Sequence, residues 1–332
     1  MTRKLLLLGA ALALVAAACG GGDSTSDTTA APSDGSLSGS IFVSGSSTVE
    51  PISALNAEKF NAMHPNVGVT VEGPGTGDGF KKFCAGESDI SDASRAIKES
   101  EAEECAAAGI EYVELQVAID GLSVITSIEN NAVSCLTFHD IYALVGPEST
   151  GFQNWSDAND LAGDLGGTTA PYPDAPLVVT APGEESGTYD TFVELVIDDL
   201  AEEREQQGAS RPDYQASAND NVIIEGISGT ATSLGWVGYA FFAENTDKVT
   251  ALAVDDGESG CVAPTADTIA DGSYPLSRPL FIYVNKAKTA ERPELAAFVD
   301  FYLSEAGLES VNETGYVELA SYEDVIAAWE SR

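Results

Sequence analysis

The chain has 332 residues, 44% hydrophobic and 20% charged, with 15 Lys and Arg against 53 Asp and Glu and a formal net charge of −38. A surface of that sign repels nucleic acid and anionic headgroups and argues against both as partners. With only His64 and His139 and no C-x-x-C, the composition also gives no basis for a metal site.

Arg3 and Lys4 open the chain, residues 5–18 form an apolar run, and Ala16-Ala17-Ala18 lead into Cys19. That is the order of a secretory signal, too short for a membrane span of about 20 residues. Cys19 looks like the lipidation site of a bacterial lipoprotein, although Ala16 stands where such signals prefer Leu. Residues 1–19 are therefore expected to be a lipoprotein signal peptide, with Cys19 carrying a lipid (palmitate) anchor. Its removal takes the charge to about −40. Residues 20–38, almost wholly Gly, Ser, Thr, Asp, Ala and Pro, cannot bury enough apolar surface to fold and read as a disordered tether reaching roughly 25 Å.

The folded part then begins near Gly39. Residues 40–43 alternate as a strand, and Gly45-Ser46-Ser47-Thr48-Val49-Glu50-Pro51 turns it into a helix carrying Ile52, Leu55, Phe60 and Met63. Val67, Val69 and Val71 alternate as a second strand, which Gly73-Pro74-Gly75-Thr76-Gly77-Asp78-Gly79 turns into a helix with Phe80 and Phe83. Residues 90–97 read as a strand and loop. A helix is expected over 100–108, with Ser100 and Glu103 spaced as a capping box, followed by strands over 110–115 and 117–127 and a helix over 136–145. Residues 177–180 form a buried strand running into Pro182-Gly183-Glu184-Glu185-Ser186-Gly187-Thr188 and a helix with Phe192, Leu195, Val196 and Leu200 on one face. Residues 235–242 are apolar, 280–284 form a strong strand, and Leu295, Phe298, Val299 and Tyr302 mark a late helix. Strands alternating with helices imply an α/β fold with parallel sheets.

Besides Cys19 the cysteines are Cys84, Cys105, Cys135 and Cys261. An exported chain meets an oxidising compartment, so two disulfides are expected. Three pairings are possible; Cys84 with Cys105 and Cys135 with Cys261 is the one expected.

Three loops, residues 44–51, 73–79 and 183–188, share one pattern of strand, Gly/Ser/Thr turn and helix. Such turns lie at the carboxyl ends of parallel strands, where ligands bind, and helix N-termini with free N–H groups suit an anion. Any one of them is ordinarily a helix cap; three together point to an anion site. Cations are scarce: between Lys82 and Arg204 only Arg95 and Lys98 occur. Arg95 follows a strand in Ser91-Asp92-Ala93-Ser94-Arg95, and its planar fork of donors matches a tetrahedral oxyanion.

These loops, together with Asp89-Ile90-Ser91-Asp92-Ala93-Ser94-Arg95 and Tyr274-Pro275-Leu276-Ser277-Arg278-Pro279-Leu280, occur in an order that resembles the phosphate-binding lipoproteins of bacterial phosphate ABC importers, the PstS family. The resemblance runs from Ser40 to the end of the chain. It implies a two-lobed periplasmic-binding-protein fold of the class II type, with two hinge strands near 121–127 and 279–285 and the ligand cleft between lobes. The lobes would be 39–121 plus 279–332, and 122–278. It further implies a monomer that captures inorganic phosphate at the extracytoplasmic face of the membrane and delivers it to ABC permease subunits, without cofactor or catalysis. By the same resemblance the phosphate-binding residues are Ser47, Thr48, Val49, Thr76, Gly77, Ser94, Arg95, Ser186, Gly187 and Thr188. Two departures stand out: Pro182 where several members carry Arg, and Ser94 where several carry Asp. Arg95 is then the expected main cation, with Arg278 next. The acid that accepts the proton of phosphate, which sulfate lacks, must come from elsewhere; Glu50, Asp78, Asp92, Glu184 and Glu185 are the candidates.

Other readings are a binding protein for sulfate or molybdate, a secreted phosphatase or hydrolase, and a structural surface protein. The hydrolase reading lacks a G-x-S-x-G elbow and a base beside a nucleophile. The structural reading leaves the three loops unexplained.

Overall fold

The computed structural model describes residues 37–184 and 186–332. The expected signal peptide, Cys19 and all of the tether but its last two residues lie outside them. Eleven strands are present among the described residues: β1 (Gly39–Gly45), β2 (Val67–Glu72), β3 (Ile90–Ala93), β4 (Tyr112–Ser127), β5 (Cys135–Thr137), β6 (Val178–Ala181), β7 (Gln215–Ala216), β8 (Ser233–Gly238), β9 (Val249–Ala251), β10 (Ala253–Asp255) and β11 (Ser277–Asn285). Nine belong to one sheet, in the order β2-β1-β3-β11-β4-β8-β6-β7, with β9 also on β4; β5 and β10 form a separate parallel pair.

The sheet is mixed, which corrects the expectation of parallel sheets. β1, β2 and β3 run parallel, as do β6, β7 and β8. The late strand β11 is antiparallel to both β3 and β4, and β4 is antiparallel to β8 and β9. β11 returns from the far end of the chain, and strand–helix alternation carries no information on a pairing of that range.

The segments expected as two strands, 110–115 and 117–127, are one strand of sixteen residues. Its first half pairs with β11 from Tyr112 to Gly121, and its second half pairs with β8 and β9 from Leu122 to Ser127. The burial pattern changes accordingly, alternating up to Gln116 and then buried without a break, the signature of a strand covered on both faces. Gly121 sits at the transition: a Cβ there would lie 2.7 Å from Ile269 Cδ1. Two large hydrophobic cores meet along this strand. One holds Ile41, Phe60, Val113, Leu115, Ile282 and Phe298. The other holds Leu122, Val124, Trp155, Phe192, Trp236 and Leu276, with Phe192 stacked on Trp236 at 3.8 Å between ring centroids.

Both expected disulfides are present, Cys84–Cys105 and Cys135–Cys261. Other boundaries shift. The helix expected from residue 100 spans Glu99–Ala107, and it is Glu101 that reaches back, accepting the Lys98 backbone N–H at 2.9 Å; Ser100 is inside the first turn. The apolar stretch 235–242 ends its strand at Gly238 and continues as the short helix Tyr239–Ala243. The helix over 136–145 begins at Phe138, capped by Thr137, whose hydroxyl oxygen accepts the Asp140 N–H at 3.0 Å. Among the described residues, no helix is long and apolar enough to cross a membrane.

Candidate functional site

The first loop leaves β1 and enters the helix Glu50–Met63. Gly45 is required at its root, because a Cβ there would lie 2.0 Å from the Asp92 carbonyl oxygen, and the facing Gly79 would meet Gly45 Cα at 2.4 Å. This close approach seats the N-terminus of the helix Thr76–Cys84 against the end of β1, where the Gly75 N–H donates to Gly45 O at 2.8 Å. The Ser46 N–H donates to Asp92 O at 2.9 Å, tying the first loop to β3. The hydroxyls of Thr76 and Ser94 meet at 3.0 Å, and the Ser94 N–H donates to Thr76 Oγ1 at 3.2 Å. Three chain segments thus converge on a cavity of about 270 Å³ lined by Ser46, Ser47, Thr48, Gly75, Thr76, Gly77, Ser94 and Arg95, with Asp190, Glu194 and Arg278 completing the wall.

Six of the expected residues, Ser47, Thr48, Thr76, Gly77, Ser94 and Arg95, therefore share one cavity. Val49 is fully buried behind it, with its N–H turned to Ser46 O at 3.2 Å. The third loop stands apart. Ser186 caps its own helix, Gly187–Phe192, by accepting the Thr188 N–H at 3.2 Å. Gly187 abuts the first loop, a Cβ there lying 3.9 Å from Ser47 O, yet Gly187 and Thr188 line a neighbouring cavity of about 320 Å³.

The cations occupy different settings. Arg95 is forked onto Glu101 through two bonds of 2.8 Å and lies over the Phe80 ring at 5.6 Å. Arg278 is the cross-strand partner of Asp120 at the junction of β11 and β4, and its side chain is only 7% exposed. Its guanidinium donates to Thr48 Oγ1 at 2.9 Å, Thr191 Oγ1 at 2.6 Å, Glu194 Oε2 at 2.5 Å and Asp120 Oδ2 at 3.4 Å. It thereby joins the first loop to the helix that follows the third. Burial raises the Asp120 pKa, while the Arg278 charge and the Thr191 hydroxyl pull it back. The neighbouring cavity is the larger, but Asp120, Asp220, Glu244 and Glu313 line it, with no Lys or Arg among the described residues. Its electrostatics oppose an anion, and the chemistry favours the smaller cavity.

Of the acids expected to read a ligand proton, none of the described ones lines the cavity. Asp78 pairs with Lys81 at the surface, Glu184 is exposed, and Glu185 lies outside the described residues. Glu50 approaches Gly73. Asp92 is buried beneath the first loop; the Ser53 hydroxyl donates to one oxygen at 2.9 Å and the other has no partner among the described residues. Burial pushes the Asp92 pKa up to about 7 against the Ser53 bond, with the charge of Glu50 adding to the rise. The acids in the wall are Asp190, facing the Ser47 hydroxyl, and Glu194. Burial raises the Asp190 pKa, Arg278 opposes it and Glu194 adds to it. A signal for both was in the sequence: Gly187, Asp190, Thr191 and Glu194 form a polar stripe at helical spacing.

Comparison with known proteins bears on the family and the fold. The PBP superfamily domain matches residues 27–306. Protein SphX of Synechococcus elongatus is 39% identical over 277 residues, 83% of this chain and 76% of the relative. The phosphate-binding protein PstS of Staphylococcus haemolyticus is 34% identical over 82% of this chain and 79% of its own. Among solved structures, a possible phosphate binding protein from Planctomyces limnophilus superposes with a TM-score of 0.81 at 41% identity, covering 89% of this chain and 99% of that one. PstS from Borrelia burgdorferi does so at 0.61 and 25% identity, over 85% and 99%.

Proposed function

The chain belongs to the PBP superfamily and, within it, to the PstS family of phosphate-binding proteins, and on that premise we propose that it captures inorganic phosphate outside the cytoplasm and delivers it to an ABC permease. The observation that carries this reading is Arg278, a buried cation on the cavity wall bonded to hydroxyls from two separate segments, Thr48 and Thr191. A guanidinium matches a tetrahedral oxyanion through several donors at once, and the surrounding hydroxyls of Ser47, Thr76 and Ser94 add neutral donors. In this reading Arg278 is the principal cation and Arg95 the second. Asp190 accepts the hydrogen of a protonated phosphate and repels sulfate, which has none to offer.

We further propose two lobes, 39–121 with 279–332 and 122–278, closing about β4 and β11 so that Ser186, Gly187 and Thr188 reach the guest from the opposite side. Gly187 already abuts the first loop. Cys19 anchors the protein by lipid, and it acts as a monomer without cofactor or turnover. A net charge near −40 does not prevent capture, because charges farther away than a Debye length of about 8 Å are largely screened.

The test is a thermal-shift and calorimetric panel of phosphate, sulfate and molybdate. A ligand at a hundredfold excess over Kd stabilises by about 2.7 kcal/mol. Phosphate raises the melting temperature and sulfate does not; the reverse order refutes the reading. Turnover of a chromogenic phosphate ester by the pure protein would favour the phosphatase alternative.

A further inference from the structure

Arg278 has five N–H donors, and in this structure four of its hydrogen-bond directions are taken. The Thr48 hydroxyl, on the cavity wall, can rotate and donate to a guest while still lying beside the guanidinium, whereas the Thr191 hydroxyl is committed to Asp120 Oδ2 at 3.0 Å and Gly187 O at 2.9 Å. A carboxylate can only accept, so it contests the cation with any incoming anion. The two carboxylates on Arg278 differ in kind. Asp120 has a side chain 10% exposed, lies on the adjacent strand and is fixed by the Thr191 hydroxyl at 3.0 Å. Glu194 has a side chain 48% exposed, and among the described residues it bonds only to Arg278 Nη1, at 2.5 Å, on the wall of the cavity itself. It also sits in a π-helical turn, Val193–Ile197, that interrupts the helix after the third loop; such turns recur at functional sites.

We propose that Glu194 is a placeholder anion: its carboxylate occupies the seat on Arg278 that the oxyanion takes over, and its displacement sets the affinity and screens out weakly binding anions. This rests on the reading of the Arg278 cavity as the phosphate site. In the free protein Glu194 keeps the guanidinium charge-balanced and oriented. On binding, the carboxylate swings out to water by side-chain rotation, which its exposure permits, and phosphate takes the Nη1 donor. Asp120 stays in place and holds the guanidinium plane. A guest that competes poorly with a carboxylate, such as the monoanion nitrate, leaves Glu194 where it is.

The experiment is calorimetric titration of phosphate, sulfate and nitrate into the wild type, Glu194→Gln and Glu194→Ala, with melting temperatures measured in their absence. Removing one negative charge from contact with the guest is expected to tighten phosphate binding roughly tenfold in both variants and to make nitrate binding measurable, while Asp190 still disfavours sulfate. Folded Glu194→Gln that binds phosphate no more tightly than the wild type overturns the proposal. If that variant is too unstable to titrate, Glu194→Asp, one methylene shorter and unable to keep the same contact, is expected to tighten binding in the same direction, and its failure to do so overturns the proposal equally. Wild type that does not bind phosphate overturns both this proposal and the reading beneath it; wild type that binds, with unimproved variants, overturns this one alone.

Discussion

Replacing Arg278 with alanine separates its two roles. For the ligand, the loss is a charged donor on the cavity wall. Hydrogen bonds to charged groups are worth about 1.5–3 kcal/mol each, and tenfold in Kd corresponds to about 1.4 kcal/mol, so phosphate affinity should fall about a hundredfold. For the fold, the loss strands Asp120, which is buried and has no other cation within reach among the described residues. Removing one partner of a buried pair costs about 3–5 kcal/mol. The sign of the pH dependence follows. Burial already raises the Asp120 pKa, and Arg278 opposes it. Without Arg278 the folded-state value climbs further above the unfolded one, so stability is lost as pH rises between the two. Arg278→Ala should therefore be more destabilised at pH 8 than at pH 5. Adding Asp120→Asn keeps an acceptor for Thr191 and removes the stranded charge; it should restore stability but not phosphate binding. Guanidinium unfolding at the two pH values and calorimetric titration read both effects. Phosphate affinity within threefold of wild type in Arg278→Ala would refute the assignment, as would binding restored by Asp120→Asn.

Asp92 supplies a second pH test. Its folded pKa of about 7 lies above the ordinary aspartate value, so the protonated form favours folding and that contribution is lost as pH rises from about 4 to about 7. Three pKa units correspond to about 4 kcal/mol. Asp92→Asn should gain on the wild type by up to that amount across this window and then run parallel to it; unfolding curves that track each other throughout contradict the burial argument. Arg95→Ala removes a cation already committed to Glu101, so phosphate affinity should fall roughly threefold to tenfold, less than for Arg278→Ala; a larger loss would make Arg95 the principal cation. Of the two disulfides, Cys135–Cys261 spans 126 residues and Cys84–Cys105 spans 21. Loop entropy assigns them on the order of 5 and 3 kcal/mol, and serine replacement of each pair followed by guanidinium unfolding should show that order.

Local features were legible in the chain. The Gly/Ser/Thr loops, the strands feeding them and the local Cys84–Cys105 pair follow from short-range spacing, with Cys135–Cys261 the pair that then remains, and six of the expected site residues share one cavity. What escaped is long-range. Arg278 and Asp120 are 158 residues apart and meet only because β11 slots antiparallel beside β4. Asp120 was still signposted, as a lone acid in an apolar run that must find a partner when buried. Asp190 and Glu194 share a helix with the third loop's residues, but which cavity each faces depends on how that helix packs. The terminal helices Glu305–Glu313 and Glu323–Glu330 bury few side chains, chiefly Val311 and Trp329, so a core-facing stripe does not mark them in the sequence. Ser100 and Glu103 match a capping spacing two residues too late, because Lys98 serves as the cap residue with its backbone N–H satisfied by Glu101.

The seat of the oxyanion decides whether Arg278 is the principal cation. A crystal structure of the protein grown with phosphate should show one phosphate in the cavity bounded by Thr48, Thr76, Ser94 and Arg278, with Arg278 Nη1 on a phosphate oxygen and the Glu194 carboxylate turned away. Phosphate in the acidic neighbouring cavity, or a saturated crystal in which Arg278 touches no phosphate oxygen, would contradict it.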